Sequence, residues 1–162
     1  KHKKNINNIK PNLLISVSNN RDCSRLNNAN LAIVINLLNK EFDFNIYISS
    51  LITDLEIAKD LKKRLTIDSS IRLTPHLKDF IELLNSMDIC LLGDGGTMHL
   101  AAALEIPQVV LFGHTSPLTW GPLSNNAKLF YDSENVNNIE SKKILEALKN
   151  KLNNIKTAKT KH

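Results

Sequence analysis

The apolar run Ile89-Cys90-Leu91-Leu92 leads straight into Gly93-Asp94-Gly95-Gly96-Thr97-Met98-His99, and this junction constrains the fold more than any other part of the chain. The run is too short for a helix, so it reads as a buried strand with Asp94 at its carboxyl end. A helix opens at the glycines and carries Leu100 to Leu104, and after Pro107 comes a second buried strand, Val109-Val110-Leu111-Phe112. The amides of Gly95, Gly96 and Thr97 then have no partner inside the helix. Glycine leaves the backbone open to an approaching anion, and the aligned peptide dipoles favour negative charge there. A Gly pair before a helix can also be only a tight connection. Its company here points to a phosphate-binding turn: an acid before it, His99 just inside the helix, and a loop with Gly and Pro after the next strand.

Strand and helix signals alternate through the rest of the chain. Leu13 to Val17 reads as a strand, followed by a polar turn from Ser18 to Asp22. Asn30 through Phe42 places Leu31, Val34, Ile35 and Leu38 on one helical face, and Phe44 to Ile48 alternates as a strand does. Thr53 with Glu56 three residues on has capping-box spacing, ahead of a face made of Leu55, Ala58, Leu61 and Leu65. Ser70 to Leu73 reads as a short strand and Pro75 to Leu84 as an amphipathic helix. Lys128 to Tyr131 gives a last strand and Ile139 to Leu152 a closing helix. The fold class expected is α/β: a Rossmann-like parallel sheet with helices on both faces, its ligand crevice at the strands' carboxyl ends. The expected domain runs from residue 12 to 154, between a basic extension or linker at 1–11 and a basic tail at 155–162.

A chain of 162 residues with 42% hydrophobic content supports one core and no second domain. The net charge of +5 comes partly from the two ends, Lys1 to Lys4 and Lys156 to His162, and suits contact with an anionic membrane surface. Nucleic acid is not expected as a partner, because only 5% of residues are aromatic and none interleave with Lys or Arg. Cys23 and Cys90 are too few and too far apart for a disulfide framework or zinc site. No Asp-x-Asp cluster or paired His spacing is present, so neither a metal nor another cofactor is expected. With no signal peptide and no apolar run of about 18 residues, the expected location is cytoplasmic.

The stretch from Asp94 to Pro117 resembles glycosyltransferase family 9, the heptosyltransferases of lipopolysaccharide core synthesis. The family pattern is an acid, a hydroxyl residue, Gly, two variable residues and His, then Leu-Ala-Ala-Ala-Leu-Gly-x-Pro, a short strand ending Phe-Gly, and a Thr-x-Pro loop. This chain reads Asp94-Gly95-Gly96-Thr97-Met98-His99, Leu100 to Leu104, Pro107, Phe112-Gly113 and Thr115-Ser116-Pro117. Three positions depart from it. Gly95 replaces the hydroxyl residue, and Glu105 replaces the Gly before Ile106-Pro107, which alters the helix end. Ser24-Arg25-Leu26-Asn27 stands where the family has a Lys-Arg-Trp-Pro-like stretch whose Lys lies near the nucleotide phosphates.

The resemblance implies a GT-B architecture of two Rossmann-like halves, of which this chain is the donor-binding one. A chain starting at Lys1 is expected to be part of a longer protein, with the acceptor half and its general base elsewhere. The donor is expected to be a nucleotide-diphosphate sugar, ADP-heptose, and the acceptor a lipopolysaccharide core saccharide. The amides of Gly95, Gly96 and Thr97 would bind the diphosphate. Asp94 would accept hydrogen bonds from sugar hydroxyls, or cap the motif helix. His99 would face the phosphates, unless its role is structural. Ser18 matches a small hydroxyl residue near the phosphate, and Arg25 is the nearest remaining cation. Asp54 or Glu56 would hold the ribose, although a capping box also explains Glu56. Thr115 would border the sugar, and Trp120 is expected to pack rather than stack.

Other assignments stay open on sequence alone. UDP-sugar 2-epimerases share an Asp-Ser-Gly-Gly turn, but their helix continues with paired glutamates where this chain has Met98-His99. A degenerate sugar-nucleotide binding module fits the lost Lys. A dinucleotide-binding enzyme would need Gly-x-Gly-x-x-Gly after the first strand, which is absent.

Overall fold

A computed structural model describes residues 10–159. Six strands form one parallel sheet, β1 (Asn12–Ser16), β2 (Asn45–Ser50), β3 (Ser69–Leu73), β4 (Ile89–Gly93), β5 (Gln108–Gly113) and β6 (Ala127–Asp132), in the spatial order β3-β2-β1-β4-β5-β6. The helices are α1 (Asn28–Asn39), α2 (Leu55–Arg64), α3 (Leu77–Leu84), α4 (Gly96–Ala103), α5 (Pro117–Trp120) and α6 (Ser141–Lys159). Every residue of β5 is buried, and so are Ile89 to Leu92 of β4, as strands covered on both faces require.

Alternation along the strands divides the core into two layers. Leu13, Ile15, Ile89, Leu91, Val109 and Leu111 face α1, α2 and α6, whose Val34, Ile35, Leu38, Ala58, Leu61, Ile144 and Leu148 complete one cluster. Leu14, Cys90, Leu92, Val110 and Phe112 face α3 and α4 and pack with Phe80, Leu84, Met98 and Ala101. Burial pushes the Cys90 thiol far up, so it stays protonated and acts as a small apolar side chain.

The chain builds outward from β1 through β2 to β3, then returns to lay β4 on the other side of β1. The loops leaving β1 and β4 therefore diverge over opposite faces, and the crevice between them is where such sheets take ligands.

Several boundaries differ from the sequence expectation. Asn27 caps α1 by accepting from the Asn30 amide at 2.8 Å, so the helix starts at Asn28. A 3-10 turn, Ile52–Asp54, precedes α2, so Thr53 caps nothing and the expected capping box is not formed. α6 continues through Ile155, which packs on the core, and Lys156, whose ammonium lies 4.7 Å from the centre of the Phe42 ring. This part of the expected basic tail is thus helix, while residues 1–9 of the expected extension lie outside the described residues.

Candidate functional site

The carboxyl ends of β1, β2 and β4 open on a cleft of about 510 Å³. Ser16, Ser18, Asn19 and Arg21 line it from β1 and its loop, Ser49 and Ser50 from β2, and Asp94 to Thr97 from the turn after β4. Its far wall is the apolar start of α3, with Pro75, Leu77 and Phe80.

Gly95 carries the turn. Its φ of +147° with ψ of −173° is a backbone state that side chains disfavour, which ties the Gly at this position to the local geometry. Gly95 is the N-cap of α4 and makes no side-chain cap, so the amides of Gly95, Gly96 and Thr97 have no acceptor from that source. Gly95 and Gly96 are exposed, and a Cβ built on either meets nothing within 4 Å. Space for an anion therefore lies next to unpaired N–H groups.

Asp94 does not cap α4. Its carboxylate is buried at 3% side-chain exposure, with Oδ2 accepting from the Thr115 hydroxyl at 2.5 Å. Arg21 Nη1 donates to the same Thr115 Oγ1 at 2.7 Å and lies 3.9 Å from Asp94 Oδ2. The other oxygen, Asp94 Oδ1, is buried with no hydrogen-bond partner, and so is Ser49 Oγ in the same cleft. Two orphaned polar groups on one cleft floor are exceptions to the rule that buried polar atoms are paired. They match a site that a hydroxyl-bearing ligand completes.

The loop after β1 is fastened to this turn. Asn19 Nδ2 donates to the Asp94 carbonyl at 3.1 Å, and Asn19 Oδ1 accepts from the Arg21 amide at 3.1 Å. The loop can sit so low because residue 113 is Gly: a Cβ there would meet the Cys23 carbonyl oxygen at 2.3 Å. Ser18 Oγ accepts from the Leu51 amide at 3.0 Å and so joins the ends of β1 and β2.

Of the residues named from sequence, Ser18, Asp94, Gly95, Gly96 and Thr97 line the cleft, and Thr115 reaches it through Asp94. The others do not line it. His99 is exposed on α4. Arg25 Nη2 donates to the Asn19 carbonyl at 2.9 Å and the Asp22 carboxylate at 3.1 Å, while its Nε is buried without a partner. Ser24, at the family's Lys-bearing stretch, is buried and donates to the Gly113 carbonyl at 2.9 Å. Glu56 is exposed on α2 and bonded to Lys59 at 2.7 Å, a contact that holds its carboxyl below the ordinary value. Asp54 ends the 3-10 turn outside the cleft. Trp120, expected to pack, is 59% exposed beside the fully exposed Leu118.

Sequence reasoning missed Arg21, Asn19 and Ser49. A cation five residues past the end of β1 was the available signal for Arg21, but its partner Thr115 is a distant residue in the chain.

This site sits at the crossover point of a parallel α/β sheet, the place where sheets of this kind take ligands. The sequence pattern of glycosyltransferase family 9 (heptosyltransferase) matches residues 1–150, and the chain belongs to that family. Among solved structures, the fold is similar to that of ADP-heptose lps heptosyltransferase II from E. coli, with a TM-score of 0.80 and 21% identity over 94% of this chain and 49% of that one. E. coli heptosyltransferase WaaC, solved with ADP, gives a TM-score of 0.77 at 16% identity over 88% of this chain and 44% of that one. UDP-GlcNAc 2-epimerase from Neisseria meningitidis, bound to UDP-GlcNAc, gives 0.62 at 20% identity over 89% and 36%. The chain thus spans about half the length of the heptosyltransferases it resembles. A sequence comparison with curated proteins found no match.

Proposed function

We propose that this chain is the donor half of a heptosyltransferase-like glycosyltransferase, binding a sugar nucleoside diphosphate in the cleft between β1 and β4. The observation that carries the reading is a pair of complementary needs at one strand end. The open amides of Gly95, Gly96 and Thr97 require an acceptor, and the buried Asp94 Oδ1 requires a donor. A diphosphate supplies the first and a sugar hydroxyl the second, and in a sugar nucleotide the two are adjacent.

In this reading the diphosphate caps α4, where the helix dipole stabilises the negative charge that grows as the bond from the sugar's anomeric carbon to phosphate oxygen breaks. The new bond forms from an acceptor hydroxyl whose proton goes to a base outside this chain. The apolar wall of Pro75, Leu77 and Phe80 suits a nucleobase. ADP-heptose is the donor proposed, in keeping with the family's heptosyltransferases, and a lipopolysaccharide core saccharide the acceptor. No helix among the described residues is long and apolar enough to cross a membrane. The proposed place of work is the cytoplasmic face of the inner membrane, approached peripherally.

The test is a transfer assay with the full-length protein and its Asp94→Ala variant. Transfer should fall by at least about tenfold, as loss of a charged hydrogen-bond acceptor entails. Unchanged transfer counts against the donor-site reading.

A further inference from the structure

On the donor-half reading above, we propose that Arg21 is the cation that grips the donor's diphosphate, with Thr115 and Asp94 as its positioning residues. Among the described residues lining the cleft, Arg21 is the one Lys or Arg side chain. The neighbouring candidates lie outside it: Ser24 carries no charge and is buried against Gly113, and Arg25, whose Nη2 donates to the Asn19 carbonyl and Asp22, does not line the cleft. A diphosphate seated on the α4 amides therefore meets its counter-charge from Arg21.

The contacts around Arg21 run in one chemical direction. A guanidinium only donates and a carboxylate only accepts, so the Thr115 hydroxyl between them must accept from Arg21 and give its own proton to Asp94. Thr115 thus has no proton left for a phosphate oxygen, and its task is to hold the guanidinium. Asp94 Oδ2, 3.9 Å from Nη1, adds charge attraction from a buried position. The backbone at Arg21 is fixed too, because its amide is bonded to Asn19, which in turn holds the Asp94 carbonyl. Arg21 commits one donor to Thr115, and its side chain remains 48% exposed at the cleft mouth. The remaining fork of N–H groups has the planar geometry that phosphate oxygens accept bidentately. Arg21 is then a diphosphate ligand held at one corner by the same carboxylate whose second oxygen awaits the sugar.

The test is calorimetry on the 162-residue chain with ADP and adenosine as the two probes. Arg21→Gln should weaken ADP binding at least about tenfold and leave adenosine within about twofold. Arg21→Lys, which keeps charge but loses the fork, should fall between wild type and Arg21→Gln. Thr115→Val should weaken ADP selectively, and Lys63→Gln, which removes a charge on α2, should change neither. Thermal midpoints verify that each variant is folded. Unchanged ADP binding by Arg21→Gln, with wild type binding ADP well, overturns the role of Arg21 and leaves the donor-half reading standing. Equal losses for ADP and adenosine overturn it as well, since they would mark a structural role. A folded wild-type chain that binds neither probe removes the donor-half reading and this inference together.

Discussion

Thr115 and Asp94 meet at 2.5 Å, hydroxyl to carboxylate, although α4 and β5 lie between them in the chain. The contact joins the turn after β4 to the turn after β5, and Arg21 from the loop after β1 closes on the same hydroxyl. Three loops leaving three parallel strands therefore converge on one oxygen.

Removing that oxygen leaves Asp94 Oδ2 buried without its hydroxyl donor. Thr115→Val should cost about 1–3 kcal/mol in urea unfolding, the range for a buried acceptor stripped of its donor. Thr115→Ser, which keeps the hydroxyl, should recover most of the loss.

The two glycines of the turn should respond differently. Gly95 holds φ at +147°, so Gly95→Ala should destabilise by roughly 1–3 kcal/mol through backbone strain alone, since its Cβ would meet no neighbour. Gly96 is helical with no such φ, and Gly96→Ala should be neutral or slightly stabilising by thermal melt.

Glu105 occupies a position that asks for Gly. Its φ is +55°, with its amide bonded to Ala102 O and the Ile106 amide to Ala101 O, the paired bonds of a Schellman cap. Glu105→Gly should raise stability by up to about 1 kcal/mol, since a left-handed residue with a Cβ costs about that much. Chemical denaturation reads this directly, and a loss of stability would contradict the strain.

Asp132 at the end of β6 accepts from the amides of Asn135 and Glu134, which together hold its carboxyl below the ordinary value of 3.8. A depressed folded value means the stabilisation is complete above 3.8 and is lost as the pH falls through the lower folded value. Wild type should therefore exceed Asp132→Ala in stability at neutral pH, with the gap constant above 3.8 and narrowing below it. A gap that widens in acid would reverse the sign.

The turn after β4 was legible in sequence because everything that makes it is local: a short apolar strand, an acid, two glycines and a helix. The same holds for the sheet, whose buried central strands read as continuous apolar runs. What escaped depends on pairings between residues far apart in the chain. The family's Lys-bearing stretch pointed to Arg25 as the remaining cation, whereas Arg25 Nη2 bonds to the Asn19 carbonyl and Asp22, and it is Arg21, bonded to the distant Thr115, that lines the cleft. The family resemblance offered Asp54 or Glu56 for the ribose, and Thr53 with Glu56 has capping-box spacing that a 3-10 turn ahead of the helix leaves unused. The turn puts Asp54 outside the cleft, and Lys59 takes Glu56. Trp120 was expected to pack by residue type alone, whereas α5 is a single turn that leaves it exposed.

The most direct measurement is calorimetric titration of this chain with ADP-heptose, with ADP, UDP-N-acetylglucosamine and NAD as competitors. The expected result is saturable binding of ADP-heptose that ADP displaces and NAD does not. A folded chain that gives no binding heat with ADP-heptose or ADP, or that prefers NAD, would contradict the claim that the cleft between β1 and β4 is a sugar-nucleotide site.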